Sequence, residues 1–184
     1  RLVELGIDTH FLPGVAMGVG LGMGHPCMGS TIALTRETLV RIGGFEALAD
    51  DLADDHLIGK RVRALGLTVA LTPFTIGHVC PERSLRDLVR QELRWARTIR
   101  QVEPAGHLGS LVTHPVAYAV LACALAPGVT SGAVLALALA ARLGVCLAGE
   151  HAFALKRHGY WLVPMRDLLS FAIYATSFRG RGVS

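Results

Sequence analysis

From Ser84 to about Val102 the chain interleaves arginines with apolar residues at helical spacing. Arginines stand at 83, 86, 90, 94, 97 and 100, and steps of three and four stack all six on one face of a 3.6-residue helix. Gln91, Arg94 and Trp95 are three and four apart, so they are neighbours beside that ridge. Ser84 with Asp87 forms a capping-box-like start. Charge then vanishes: residues 104–141, 38 in all, include no Asp, Glu, Lys or Arg. A membrane span needs about 20 apolar residues. Pro127-Gly128 divides the run, which predicts spans near 111–126 and 129–148. Arg142 falls in the second and must snorkel or face protein. Two spans put Lys156, Arg157 and His158 on the side of the arginine helix, as expected for the cytoplasmic face. The last apolar stretch, 160–178, holds Pro164 and Arg166-Asp167. It reads as a third span with a buried ion pair, or as an interfacial or re-entrant helix. The second is favoured, because Arg179 and Arg181 would otherwise cross to the far side.

The first part of the chain has shorter periods. Residues 1–12 read as the end of a helix, broken by Pro13-Gly14. Glycines at 18, 20, 22 and 24 follow, without GxGxxG spacing or a P-loop lysine. They read as a flexible loop or as a mobile loop near a substrate. Residues 27–34 predict a buried strand. Thr35 can cap a helix over 36–42, which Gly43-Gly44-Phe45 ends. Leu57, Ile58, Val62 and Leu65 share one helical face, and Gly66 closes that helix. Residues 67–72 alternate as a strand ended by Pro73, and 75–79 predict another, containing His78. Strands between short helices predict an α/β class for 1–103, ahead of a membrane region at 104–184.

Composition agrees with a membrane chain. Of 184 residues, 52% are hydrophobic, and the mean hydropathy is +0.46. The net charge of +4 suits an anionic lipid surface. With 6% aromatic residues, nucleic acid is not an expected partner. Cys27, Cys80, Cys123 and Cys146 form no CxxC, so neither zinc nor a disulfide is supported. The sequence begins at Arg1 rather than Met and reads as a fragment.

Two clusters carry chemistry. Asp54 and Asp55 open a helix, where carboxylates cap backbone N–H groups and meet the macrodipole. Capping alone explains one of them. The surplus, with Glu46, Asp50 and Asp51 close by, also suits a general base. Asp54-Asp55-His56 as a metal site is the weaker reading, and His78 alone reads as structural. Arg94 and its neighbours suit a phosphate or diphosphate, which guanidinium pairs with bidentately. Trp95 offers a face to a sugar ring or a lipid head group.

Asp54-Asp55 followed by Gln91-Glu92-Leu93-Arg94-Trp95 resembles the (E/D)D…QxxRW signature of family-2-like transferases of the GT-A fold. Cys27-Met28-Gly29-Ser30, Gly43-Gly44-Phe45 and the run 93–100 are most similar to ceramide glucosyltransferases (glycosyltransferase family 21), whose bacterial relatives include hopanoid-associated transferases. The resemblance implies the C-terminal part of an α/β GT-A domain followed by transmembrane or interfacial helices. It implies inverting transfer of glucose or an N-acetylhexosamine from a UDP-sugar to a ceramide- or hopanoid-type hydroxyl. Asp55 would be the base, with Asp54 replacing the more usual Glu. Gln91, Arg94 and Trp95 would lie near acceptor and diphosphate, and Gly29 and Ser30 by the acceptor loop. Mg2+ or Mn2+ is implied, yet no DxD triplet exists in the chain, so its ligands are expected outside these residues. An integral protein of a bacterial inner membrane with a cytoplasmic catalytic face is expected. A processive polysaccharide synthase shares the signature, and a non-enzymatic basic helix that binds anionic lipid is a third reading.

Overall fold

In the computed structural model, the described residues are 2–22, 25–29, 31–49, 51, 53–72, 74, 76–77, 79–155 and 159–180. They form two compact units, Gly14–Thr75 and Arg1–Pro13 with Ile76–Ser184.

The α/β expectation is overturned: among the described residues the regular structure is helical and no strand forms. Of the expected strands, the described residues of 27–34 and the stretch 67–72 have no ladder partner. A strand exists only by pairing, since its N–H and C=O groups point sideways. Here Ile32, Leu34 and Val69 instead pack against Ile42, Leu48, Ile58 and Val62. Alternation thus records an extended chain with one side on a helical core.

In the Gly14–Thr75 unit, helix α3 (Arg36–Arg41) is capped by Thr35, whose hydroxyl accepts from the Thr38 N–H at 3.1 Å. Helix α4 (Asp54–Ala64) buries Ile58, Gly59 and Val62. Both helices end in a Schellman turn on a left-handed glycine. After α3, Gly43 N–H donates to Val40 and Gly44 N–H to Leu39. After α4, Gly66 N–H donates to Arg63 and Leu67 N–H to Val62. Arg61 then clamps the first turn, donating to the Ile42 carbonyl at 2.7 Å and the Ala47 carbonyl at 2.9 Å.

The other unit is built from longer helices. The expected break at Pro13-Gly14 is absent. Helix α1 (Leu2–Gly6) passes through a π turn (Ile7–Phe11) into α2 (Leu12–Gly20). Proline brings no N–H to an α-helical ladder, so the carbonyl four residues back, that of Thr9, has no helical donor. That carbonyl accepts from Arg142 Nη1 at 2.9 Å. Helix α5 (Leu85–Val102) begins at Ser84, whose Oγ accepts from Asp87 N–H at 3.1 Å and donates to its carboxylate at 2.6 Å. This hydroxyl holds the Asp87 carboxyl below its ordinary range.

Helices α6 (Pro104–Gly109) and α7 (Pro115–Leu125) lie either side of a 3-10 turn at Ser110–Thr113. Pro104–Thr113 and Pro115–Leu125 are apolar enough together to span, with a 57° bend. The run read as one span from 111 is therefore broken at His114, because Pro115 opens a new helix. Helix α8 (Val129–Phe153) has 25 residues and, among the described residues, is the single unbroken helix long and apolar enough to cross a membrane. It packs on α7, with Val116, Ala119 and Ala138 forming their core. Helix α9 (Val163–Ser177) has 15 residues, short of a span. It packs against α1, α5 and α7 and buries Arg166, Asp167, Ser170 and Ser177.

Candidate functional site

The residues singled out fall into both units, and each group is described within its own. In Gly14–Thr75, Asp54 and Asp55 occupy the first turn of α4. Asp54 is exposed and Asp55 half-buried. Each carboxylate accepts from the next backbone N–H: Asp55 N–H reaches Asp54 Oδ1 at 3.0 Å, and His56 N–H reaches Asp55 Oδ1 at 2.7 Å. Capping thus engages one oxygen of Asp55.

Its other oxygen faces Gly29. A Cβ added to Gly29 would lie 2.8 Å from Asp55 Oδ2. Glycine here lets the backbone come close to the carboxylate, the kind of approach that any side chain blocks. The structure therefore brings Gly29 and Asp55 together, 26 residues apart in sequence. Ser30 lies outside the described residues, as do Asp50 and His78. The approach is secured one turn along α4, where a Cβ on Gly59 would meet Cys27 Cβ at 2.6 Å. Arg63 adds a hydrogen bond to the His25 carbonyl at 3.0 Å. Burial, then the Asp55 charge, push the Cys27 thiol up, against Arg63 and the Gly59 N–H. A raised pKa disfavours thiolate, so Cys27 packs rather than attacks.

Gly29→Val tests this contact. The added methyls would push the Asp55 carboxylate aside, so transfer activity should fall about 10-fold or more while melting changes little. Unchanged activity with a folded variant would refute a role for the Gly29–Asp55 approach.

In the other unit, Gln91, Arg94 and Trp95 lie on α5. Gln91 is half-buried, Arg94 exposed, and Trp95 40% exposed. The arginine ridge is divided by its contacts. Arg83 precedes the helix, so five of the six arginines lie on it. Arg97 donates to the Arg179 carbonyl at 3.1 Å and Arg100 to the Gly180 carbonyl at 2.9 Å. These hold the chain just past the C-terminal end of α9 against α5. Arg86, Arg90 and Arg94 are exposed and make no side-chain hydrogen bond or ion pair among the described residues.

Sequence reasoning passed over Glu92, at an unspecified position of QxxRW. Its carboxylate takes the Arg166 guanidinium from α9. Arg166 also donates to the Leu2 carbonyl at 3.0 Å and to Ser170 Oγ. Gly6 makes room for it, because a Cβ there would overlap the guanidinium. Burial pushes the Glu92 carboxyl up, against the pull of Arg166. The available signal was that Glu92 is the one acid in α5 beyond its first turn. A second pair lies beside it: Arg142 of α8 holds Asp167 bidentately, at 2.6 and 2.8 Å. Arg142 thus faces protein, one of the two outcomes its place in the apolar run allowed. Arg166 and Asp167 do not pair with each other; each takes a partner from another helix.

Among the described residues no group of three His, Cys, Asp or Glu side chains stands ready to hold a metal ion. The described residues therefore do not fit a divalent cation.

No curated protein and no solved structure matches this chain. The model of one family, described as "Glycosyl transferase family 21", matches residues 1–184. A match over the whole sequence, with Asp54-Asp55 opening one helix and Gln91, Arg94 and Trp95 on another, places the chain: it belongs to glycosyl transferase family 21.

Proposed function

We propose that this chain is a membrane-anchored inverting glycosyltransferase that moves glucose or an N-acetylhexosamine from a UDP-sugar to the hydroxyl of a ceramide- or hopanoid-type lipid. The observation that carries the reading is Asp55: it opens α4, gives one oxygen to the backbone, and keeps the other against Gly29. In the reaction, Asp55 Oδ2 takes the proton of the acceptor hydroxyl. The acceptor oxygen attacks the anomeric carbon as the bond to the diphosphate breaks on the opposite face. The diphosphate leaves with the bonding pair. Within the other unit, Arg94 is the proposed contact for a diphosphate and Gln91 and Trp95 for acceptor and sugar, Trp95 offering an apolar face.

Membrane anchoring is supported by α8, where only 22% of the most apolar window is buried inside the protein. A soluble core helix buries most of such a window. Leu125, Val129 and Leu137 are each more than 70% exposed. Contiguous apolar surface of that kind marks a membrane or partner interface. The ridge arginines support a cytoplasmic catalytic face, and a bacterial inner membrane is the proposed location.

The test is transfer from radiolabelled UDP-glucose and UDP-N-acetylhexosamine to ceramide and to a hopanoid in vesicles holding the protein. One hexose on one lipid acceptor, with the anomeric configuration inverted, is the expected product. A polymer would instead indicate a processive synthase. No transfer to any lipid would leave the basic helix as a lipid-binding element alone.

A further inference from the structure

Helices α5 and α9 run in the same direction: Glu92 meets Arg166, and further along Arg97 and Arg100 meet the carbonyls of Arg179 and Gly180. Between them an open groove is lined by Val89, Leu93, Leu169, Ala172, Ile173 and Thr176. Its lining is apolar throughout. The one hydroxyl, that of Thr176, is turned onto the Ala172 carbonyl at 2.7 Å and leaves its methyl to the groove. On α9, Leu169, Ala172 and Thr176 follow one another at steps of three and four, so they form a single stripe. At 1.5 Å per residue the stripe is about 10 Å long. That is about a third of the 30 Å hydrocarbon thickness of a bilayer, enough to take part of one acyl chain.

The rim is charged. Arg86 lies three residues before Val89, and Arg90 three before Leu93, so each is a surface neighbour of a groove residue. Both guanidiniums are exposed and make no side-chain hydrogen bond or ion pair among the described residues, although Arg90 feels the Asp87 carboxylate one turn back. We propose that this groove binds one acyl chain of an anionic phospholipid of the surrounding membrane, with its phosphate held by Arg86 and Arg90.

Charge chooses this occupant. A neutral acceptor lipid would fill the slot but offer neither guanidinium an anion, whereas phosphate accepts from arginine in bidentate fashion. A second copy of the chain related by a two-fold axis would place Arg86 and Arg90 against themselves. Neither Arg94 nor Asp55 takes part in this site. It rests on the membrane part of the reading above, and its test is a binding measurement made without sugar nucleotide. Loss of lipid and loss of transfer are therefore separate results.

The full chain in detergent would be titrated with phosphatidylglycerol and phosphatidylcholine of identical acyl chains, with bound lipid counted by native mass spectrometry. Phosphatidylglycerol should bind about tenfold more tightly or better, since each cation near an anionic lipid contributes about 1 kcal/mol. In R86Q/R90Q that preference should vanish; its persistence would overturn the proposal. Ala172→Phe, which fills the groove, should release both lipids while the melting temperature holds. Undiminished binding in this variant would also overturn it. An independent reading uses the parental chain and phosphatidylglycerol with a photoreactive acyl terminus. Label on peptides containing residues 89–93 or 169–176 supports the groove. Label confined to α8 excludes it.

Discussion

Asp55→Asn should lower glycosyl transfer by about 10²–10⁴-fold, the usual contribution of a positioned general base. The variant is a clean one for structural reasons. Asparagine has the shape of aspartate, and its amide oxygen can still accept from the His56 N–H that Asp55 Oδ1 holds at 2.7 Å. The cap on α4 therefore survives, and melting should move by less than about 1 kcal/mol. What is lost is the second oxygen, the one against Gly29, because an amide nitrogen has no lone pair to take the proton. Asp54→Asn should cost less, since its carboxylate is exposed and caps only the next N–H. Parental transfer by Asp55→Asn, assayed on UDP-sugar and lipid acceptor in vesicles, would remove the base assignment. A loss with normal kcat and raised KM would make Asp55 a binding group instead.

The second large effect concerns stability. Asp167→Ala removes both carboxylate oxygens from Arg142 and leaves that buried guanidinium with the Thr9 carbonyl. Breaking a buried pair from one side costs about 3–5 kcal/mol, because the remaining charge is uncompensated. The double variant Arg142→Leu/Asp167→Leu should lose less than the single one. It replaces both charges with apolar side chains, which is often neutral, but orphans the Thr9 carbonyl at about 1–3 kcal/mol. Denaturation of the purified protein in mixed micelles measures both. A double variant weaker than the single one would show that the pair itself, rather than the avoided lone charge, stabilises the helices.

How much of this was legible depended on the range of the interaction. Thr35, Ser84, Gly43 and Gly66 announce their roles within four residues, and the structure has each as a cap or a left-handed turn. Asp54 and Asp55 at the start of α4 were equally local. The strands were not, because the apolar run at 27–34 and the alternation at 67–72 state only that the chain is buried there. Whether a sheet or a helix covers it is a long-range fact. The same holds for Arg142 and Arg166. Charge inside an apolar run demanded partners, yet Asp167 and Glu92, the partners found, are 25 and 74 residues away. Gly29 was flagged by resemblance, and its physical reason, the approach to Asp55, spans 26 residues.

The π turn at Ile7–Phe11 has a further consequence, for insertions and deletions. A π turn is a helix carrying one residue more than its ladder needs. Deleting one residue within it would restore ordinary hydrogen-bond rings and would leave no gap in the chain. It would also rotate the residues before the turn by about 100° relative to those after it. Leu5, packed with Cys146 and Val163, would leave that core, and Gly6 would turn from Arg166. The spare residue thus fixes the phase of the N-terminal helix against the rest of its unit. A length change of one here should be tolerated less well than most substitutions at the same positions.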